Sequence, residues 1–517
     1  MKTGDHRAEL FLISILLITL FATQQVASAL IVTDESLVLS VLWISGFAFL
    51  FANVAYLIVI SILHLLLKKN YLPETYVKEF PKVAIVYPVR NETVGLYERI
   101  NYSLSGNLLP CFDLWILSDS NASHEPYEME LVQKLKDKYG ARVSYRRRVN
   151  PTERKQGNLH DFLQAHPEYT FLYITDADGM IPRGAVLKLL RKALHPKNQD
   201  IAIFQSFVKI AHARTWYARF EKLGTESSQR INFTTIQQLM GRSISFGHHQ
   251  LVRRKALSEI TLPKGLLSHD NWDTVLLDQL GHRVAFCPDV VGFDEAPANY
   301  LEAMKRSARW AQGTLQGFPL PFMRGVTLAS RFLAFYGIYL YLADVVFFFW
   351  VMLGLLSHSA LTGELIHFEV NCAWLGGFAN ETLRNILILS LAVIYFHKLV
   401  LVRSMKDFKH FFFETAFSTL VTLNNFLYVP LHMMAIPFKK LTWRPMKKNP
   451  FENLCFKDAV KNLLPGTVLG VMALYFLTHE MPYFVWQVTP LIVSLVLSIP
   501  LVYFTSKPVP SGIIKFI

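Results

Sequence analysis

The sequence predicts an α/β domain with a mostly parallel, doubly wound sheet, embedded in a multi-span α-helical membrane protein. Three observations predict it. Hydrophobic residues fill 52% of the 517 positions and charged residues only 18%, too apolar a balance for an ordinary soluble chain. Long apolar runs cluster toward both ends, and about 20 apolar residues suffice for one helical span. Between Lys68 and Arg331 the composition is that of a soluble domain, and short β-branched runs alternate there with helical stretches, the pattern of a parallel sheet with helical crossovers.

Taken in order, the run Leu10–Val32 follows Lys2 and Arg7 and ends near "VASA", as a secretory leader does. It is long for a leader, and a second run, Leu37–Leu67, follows. Both are therefore read as transmembrane helices. The central stretch holds "KVAIVYPVRNE" (Lys82–Glu92), "FDLWILSDS" (Phe112–Ser120), "TFLYITDAD" (Thr170–Asp178) and "DIAIFQS" (Asp200–Ser206), with helical patterns such as Glu128–Tyr139 and Ala185–His195 between them. Further spans are expected at Phe332–Leu356, Ile386–Val402, Leu463–Leu477 and Tyr483–Phe504. Phe412–Pro437 carries Asn424, Asn425, Pro430 and His432, which suits a re-entrant or interfacial segment better than a lipid-facing helix. The expected plan is residues 1–70 as two transmembrane helices, 71–325 as the central domain ending in interfacial helices, and 326–517 as a second membrane bundle.

Lysine and arginine set the orientation. "LKKN" after the second helix, "RSMKDFK" (Arg403–Lys409) and "KKLTWRPMKK" (Lys439–Lys448) are basic, whereas Ser357–Thr382 has no Lys or Arg and carries three glutamates. Basic loops stay in the cytoplasm, so the central domain is expected there, attached to the inner membrane. The net charge of +13 follows from the same loops, and nucleic acid is not an expected partner. Four scattered cysteines make no disulfide framework and no metal spacing. The chain lacks G-x-G-x-x-G after its first strand and lacks G-x-x-x-x-G-K-[ST], which argues against a dinucleotide oxidoreductase and a P-loop ATPase.

Polar residues recur where the predicted strands stop: Asn91 and Glu92, Asp119, Asp176 and Asp178, and Gln205. In doubly wound sheets those carboxyl ends hold the ligand. If the third strand persists through "DAD", alternation puts Asp176 and Asp178 on one face. Two such carboxylates suit Mg²⁺ or Mn²⁺ completed by substrate phosphates. A lone D-x-D is also a common solvated turn, so its position carries the weight. The basic stretch "RRRVNPTERKQGNL" (Arg146–Leu159) precedes it and offers Arg154 and Lys155 to a diphosphate. "LLSHDNWDTVLLDQL" opens an amphipathic helix with His269 and Asp270, where Asp270 is either a first-turn acid that complements the dipole or a general base. In "AMKRSARWAQGTLQ" Arg306, Arg309, Trp310 and Gly313 fall at helical spacing.

In that order, Asp119 in "SDS", Asp176 and Asp178 in "DAD", Asp270 in "SHD" and "RSARW" from Arg306 to Trp310, the chain resembles the processive, membrane-integrated glycosyltransferases of family 2. The motif set is D, D-x-D, an acidic element and [QR]-x-x-R-W, here in its arginine form. "RKQGN" (Arg154–Asn158), "FGHHQLVRRKAL" (Phe246–Leu257) and "SHD" narrow the resemblance to the glucosyltransferases of osmoregulated periplasmic glucans (glucans biosynthesis glucosyltransferase H type) and to cyclic β-1,2-glucan synthase transferase domains. Where those have "GHN", this chain has Gly247-His248-His249.

The resemblance implies a nucleotide-sugar transferase domain of glycosyltransferase A type and an inverting hexosyltransferase that uses a UDP-sugar, with Mg²⁺ or Mn²⁺ as cofactor. It implies that Asp119 contacts uracil or ribose, Asp176 lies near the diphosphate or donor sugar, and Asp178 ligates the metal with Asp176. Lys155 would hold the diphosphate, Asp270 would be the general base, and Arg306 and Arg309 would brace the leaving UDP. Trp310 would be the acceptor platform; Gln205 and His269 are further expected substrate contacts. The basic segment Phe438–Lys448 resembles a loop that covers the nucleotide, with Trp443 its expected contact; lipid-headgroup attraction explains the same charges. The expected acceptor is a growing glucan or, alternatively, a lipid-linked acceptor at the membrane surface.

Overall fold

The computed structural model describes residues 3–29, 37–358, 381–436, 454–480 and 485–510. Two long helices, α1 (Thr3–Ala29) and α2 (Leu37–Leu66), lead into a seven-stranded sheet. Its strands are β1 (Val83–Val89), β2 (Phe112–Ser118), β3 (Val143–Arg147), β4 (Phe171–Ile174), β5 (Ile201–Ala211), β6 (Gln250–Arg253) and β7 (Arg283–Glu295). Helices α3 (Leu96–Ser105), α4 (Glu125–Tyr139), α5 (Arg154–Ala165) and α6 (Ala185–Leu194) make the first crossovers. Then come α7 (Trp216–Ser228), α8 (Thr234–Met240), α9 (Arg254–Ser258), α10 (Asp270–Gln279) and α11 (Tyr300–Leu315).

The strand order is β3-β2-β1-β4-β6-β5-β7, parallel throughout except for β6, which runs antiparallel to both neighbours. Alternation along β1 explains the layering. Val83, Ile85, Tyr87 and Val89 enter one buried cluster with α3, α4 and α6, while Ala84 and Val86 enter another with α5 and α9. A strand buried on both faces has to read as a continuous apolar run, and β1 does. The chain leaves β1 toward β2 on one side and reaches β4 on the other, so the topological switch point lies between β1 and β4.

β4 ends at Ile174, so Asp176 and Asp178 stand on a turn rather than on one face of a strand, correcting the alternation expected from the sequence. The turn is closed by the Gly179 amide, which donates to the Asp176 carbonyl at 2.9 Å. The domain also sits on the membrane helices. Phe11 of α1, Tyr56 and Ile60 of α2 and Phe332 of α12 (Leu328–His358) pack against Ile236 and Met240 of α8. Tyr56 donates to Asn232 at 3.0 Å.

Among the described residues five helices are long and apolar enough to cross a membrane, within 6–29, 40–66, 328–353, 384–401 and 456–479. Phe412–Pro437 is broken: helices Met405–Leu420 and Asn425–Ala435 flank a short turn at Thr422–Asn424. There the buried Asn424 amide donates to Ser494 Oγ at 2.8 Å. Tyr483–Phe504, expected as one span, instead contains two helices, Val485–Val496 and Ser498–Thr505. Most of the acidic loop and all of the basic segment Phe438–Lys448, with Trp443, lie outside the described residues.

Candidate active site

The loop Phe246–His249, just before β6, is where Lys155, Asp176 and Asp270 of the predicted residues meet. Because β6 runs against its neighbours, its beginning faces the carboxyl ends of β1, β2 and β4. Gly247 takes φ +74, and a side chain there would run into the Asp270 carboxylate. The Gly247 carbonyl accepts a hydrogen bond from Lys155 Nζ at 2.7 Å, and the same ammonium pairs with Asp176. Lys155 reaches this point because Glu153 and Arg154 both adopt left-handed backbone angles just before it. Burial works against its charge but the Asp176 carboxylate outweighs it, so the Lys155 pKa is raised. Burial likewise opposes ionisation of Asp176, yet Lys155 and His248 hold its pKa below the usual carboxylate value.

Asp270 opens α10, takes a hydrogen bond from Ser268 Oγ at 2.9 Å, and has His269 Nδ1 at 3.7 Å. Helix α11 braces this corner. Gln316, just past α11, accepts from the Leu267 amide at 2.7 Å, and a side chain in place of Gly313 would meet Ser268. His269 itself is buried, with Asp273 2.7 Å from Nδ1. Burial favours its neutral form, but Asp273 and Asp270 prevail and lift its pKa to about 9.

A raised folded-state pKa gives stability that is full below the unfolded value and lost as pH climbs through the folded one. Folding stability should therefore fall between pH 6.5 and about 9, by roughly 3 kcal/mol from this group. Thermal unfolding across that window checks the sign, and His269→Gln should flatten the slope.

His248 has both ring nitrogens near acceptors: Nδ1 lies 2.8 Å from the Phe246 carbonyl and Nε2 lies 3.1 Å from Asp294. Burial opposes its charge, but Asp294 and Asp176 lift its pKa to about 9. His249 is fully buried against Gly179 and Gly292, and burial with the neighbouring His248 lowers its pKa to about 4.

Two further predicted contacts are held by the protein itself. Gln205 is completely buried; its amide donates to the His248 carbonyl at 3.0 Å and accepts from the Phe246 amide at 2.8 Å. It shapes the loop from behind and does not face the cleft. Asp119, just past β2, accepts both arms of the Arg148 fork at 2.7 Å and the Asn158 amide at 3.0 Å. Arg148 and Asn158 lay within the basic stretch "RRRVNPTERKQGNL", but its composition alone did not single them out.

On α11, Arg306 pairs with Glu221 of α7 and lies 4.5 Å from the Trp310 ring centre. Trp310 is 53% exposed. Burial and Arg306 lower the pKa of Arg309. Arg306 and Trp310 line a cavity of about 270 Å³ where the domain meets the bundle, together with Tyr217, Tyr300, Asn425 and His432.

As for a metal, the turn carrying Asp176 and Asp178 offers oxygen acceptors that remain partly exposed. Among the described residues no three or more His, Cys, Asp or Glu side chains gather as a cage of their own. That donor set fits a hard cation of the kind held by one or two carboxylates and completed by phosphates and water.

Known proteins are similar to this chain in sequence. Glucans biosynthesis glucosyltransferase H of Pseudomonas putida (strain W619) is 27% identical over 467 residues, covering 82% of this chain and 54% of that protein. The protein of the same description from Pseudomonas syringae pv. tomato matches with the same figures. The chain thus spans about half the length of the curated relatives it matches. Among solved structures, a mannosyltransferase from Pyrobaculum calidifontis in complex with GDP-Man and Mn²⁺ aligns over 68% of this chain and 97% of that one, at 15% identity and a TM-score of 0.46. The model of one family matches residues 47–361, more than half of the chain, and the protein belongs to that family, glycosyl transferase family 21.

Proposed function

We propose that this glycosyltransferase moves glucose from UDP-glucose onto a growing β-glucan with inversion at C1, and passes the polymer through its own membrane helices. The observation that carries the reading is the shared footing of Lys155, Asp176 and Asp270 on the Gly247 loop, at the carboxyl edge of the sheet. In an inverting step one base removes the acceptor proton as the acceptor oxygen bonds to C1. The bond from C1 to the diphosphate breaks, and the pair of electrons leaves with UDP. Asp270 is the proposed base, a role worth about 10²–10⁴-fold in rate.

Lys155 is poised between Asp176 and the Gly247 carbonyl, where an incoming diphosphate would compete for its ammonium. A divalent cation on Asp176 and Asp178 would stabilise the charge of the leaving diphosphate. A carboxylate has about four acceptor positions; Asp119 spends three on Arg148 and Asn158, leaving one for the uridine. Arg309 would add charge near the leaving group, and Trp310 a flat face for the acceptor sugar. The basic loops favour a cytoplasmic catalytic domain on the inner membrane.

The test is UDP release by the purified protein in nanodiscs, over a panel of UDP-sugars with Mg²⁺ or Mn²⁺. UDP-glucose should be turned over, and chelation should stop it. No release from any donor, or release indifferent to chelation, would contradict the reading.

A further inference from the structure

The cavity between α11 and the bundle holds one ion pair. Arg306 and Glu221 have side chains only 16% and 17% exposed, and a guanidinium arm donates to Glu221 Oε1. Tyr217 donates to the other carboxylate oxygen at 3.4 Å. The Trp310 ring covers the guanidinium at 4.5 Å. Arg306 Nε is buried with no hydrogen-bond partner, so that donor is open to something that enters. Around it stand Tyr300, Tyr341, Tyr428, Asn425 and His432, and no other Lys, Arg, Asp or Glu among the described residues lines the cavity.

From these contacts we infer that Glu221 determines acceptor specificity: by neutralising Arg306 and fixing its plane beneath Trp310, it makes the cavity select an uncharged sugar over an anionic one. The inference rests on the transfer reading above and adds a residue to it. A lone guanidinium in a partly buried cavity attracts carboxylates and phosphates, with which it forms bidentate pairs. Paired with a carboxylate, its charge is balanced, and its remaining N–H groups, Nε among them, suit a neutral hydroxyl beside an aromatic face suited to sugar C–H groups. Glu221 acts through Arg306 and is a positioning residue.

The experiment measures transfer from UDP-glucose to cellobiose and to its 6-uronic acid, for wild type, Glu221→Gln, Glu221→Asp, Arg306→Gln and the double Gln variant. With Glu221→Gln the KM for cellobiose should rise about tenfold, that for the uronic acid should fall by a similar factor, and the KM for UDP-glucose should hold. Glu221→Asp should keep the preference for cellobiose, and the double variant, again without net charge, should regain it. An unchanged preference in Glu221→Gln, or a change that the double variant does not reverse, would overturn the inference.

Thermal midpoints of the same variants read the pair independently of catalysis. The double variant should lose clearly less than the sum of the single losses; additive losses would contradict the pairing. If wild type itself turns over no donor, the transfer reading fails while this cycle still decides whether the pair is coupled.

Discussion

Asp270→Asn is expected to lower sugar transfer by about 10²–10⁴-fold, the contribution of one positioned general base, with UDP binding nearly unchanged. Asparagine keeps the shape and an acceptor oxygen, so the bond from Ser268 Oγ survives. It cannot take a proton from the acceptor hydroxyl. The proposed nucleotide contacts, Asp119 with Arg148 and Lys155 with Asp176, do not run through its carboxylate. Single-turnover transfer and UDP titration, side by side, separate the two. Wild-type turnover in Asp270→Asn would remove the base assignment, and equal loss of UDP affinity would make the residue structural.

Gly247→Ala should be nearly as damaging, although glycine does no chemistry. The position combines φ +74, which costs any residue with a Cβ, with contact between that Cβ and the Asp270 carboxylate. One of the two has to move. Displacement of a catalytic group by about 1 Å costs on the order of 100-fold. The Gly247 carbonyl would move with it and take the Lys155 hydrogen bond along. The expected result is a fall in kcat of about 100-fold in a protein that still folds, checked by transfer rate and thermal midpoint together. Near-normal kcat would show that the loop is not a shared footing.

The second prediction depends on Gly247, which the sequence offered only within "FGHHQLVRRKAL". Strands β1, β2, β4 and β5 were legible because each is an apolar run buried on both faces. β3, "VSYRR", is half polar at the sheet edge; β6 has four residues; and β7 contains Pro288. None of these three gives the β-rich apolar run that marks an inner strand. The D-x-D was readable in place but not in geometry, since β4 stops before it. Partnerships across long sequence distances left no local trace. Glu221 meets Arg306 85 residues away, and Gln205 meets the His248 carbonyl 43 residues away. Gln205 looked like a strand-end ligand because burial behind a loop and exposure to a cleft read alike in one dimension.

The most direct measurement is the size of the product. Purified protein in nanodiscs, given UDP-glucose and Mg²⁺ or Mn²⁺, would be followed by mass spectrometry of all glycan and lipid fractions, with Asp270→Asn as control. A ladder of hexose additions, absent in Asp270→Asn, is the predicted result. A single hexose on a co-purified lipid would contradict processive glucan synthesis and make the lipid the acceptor.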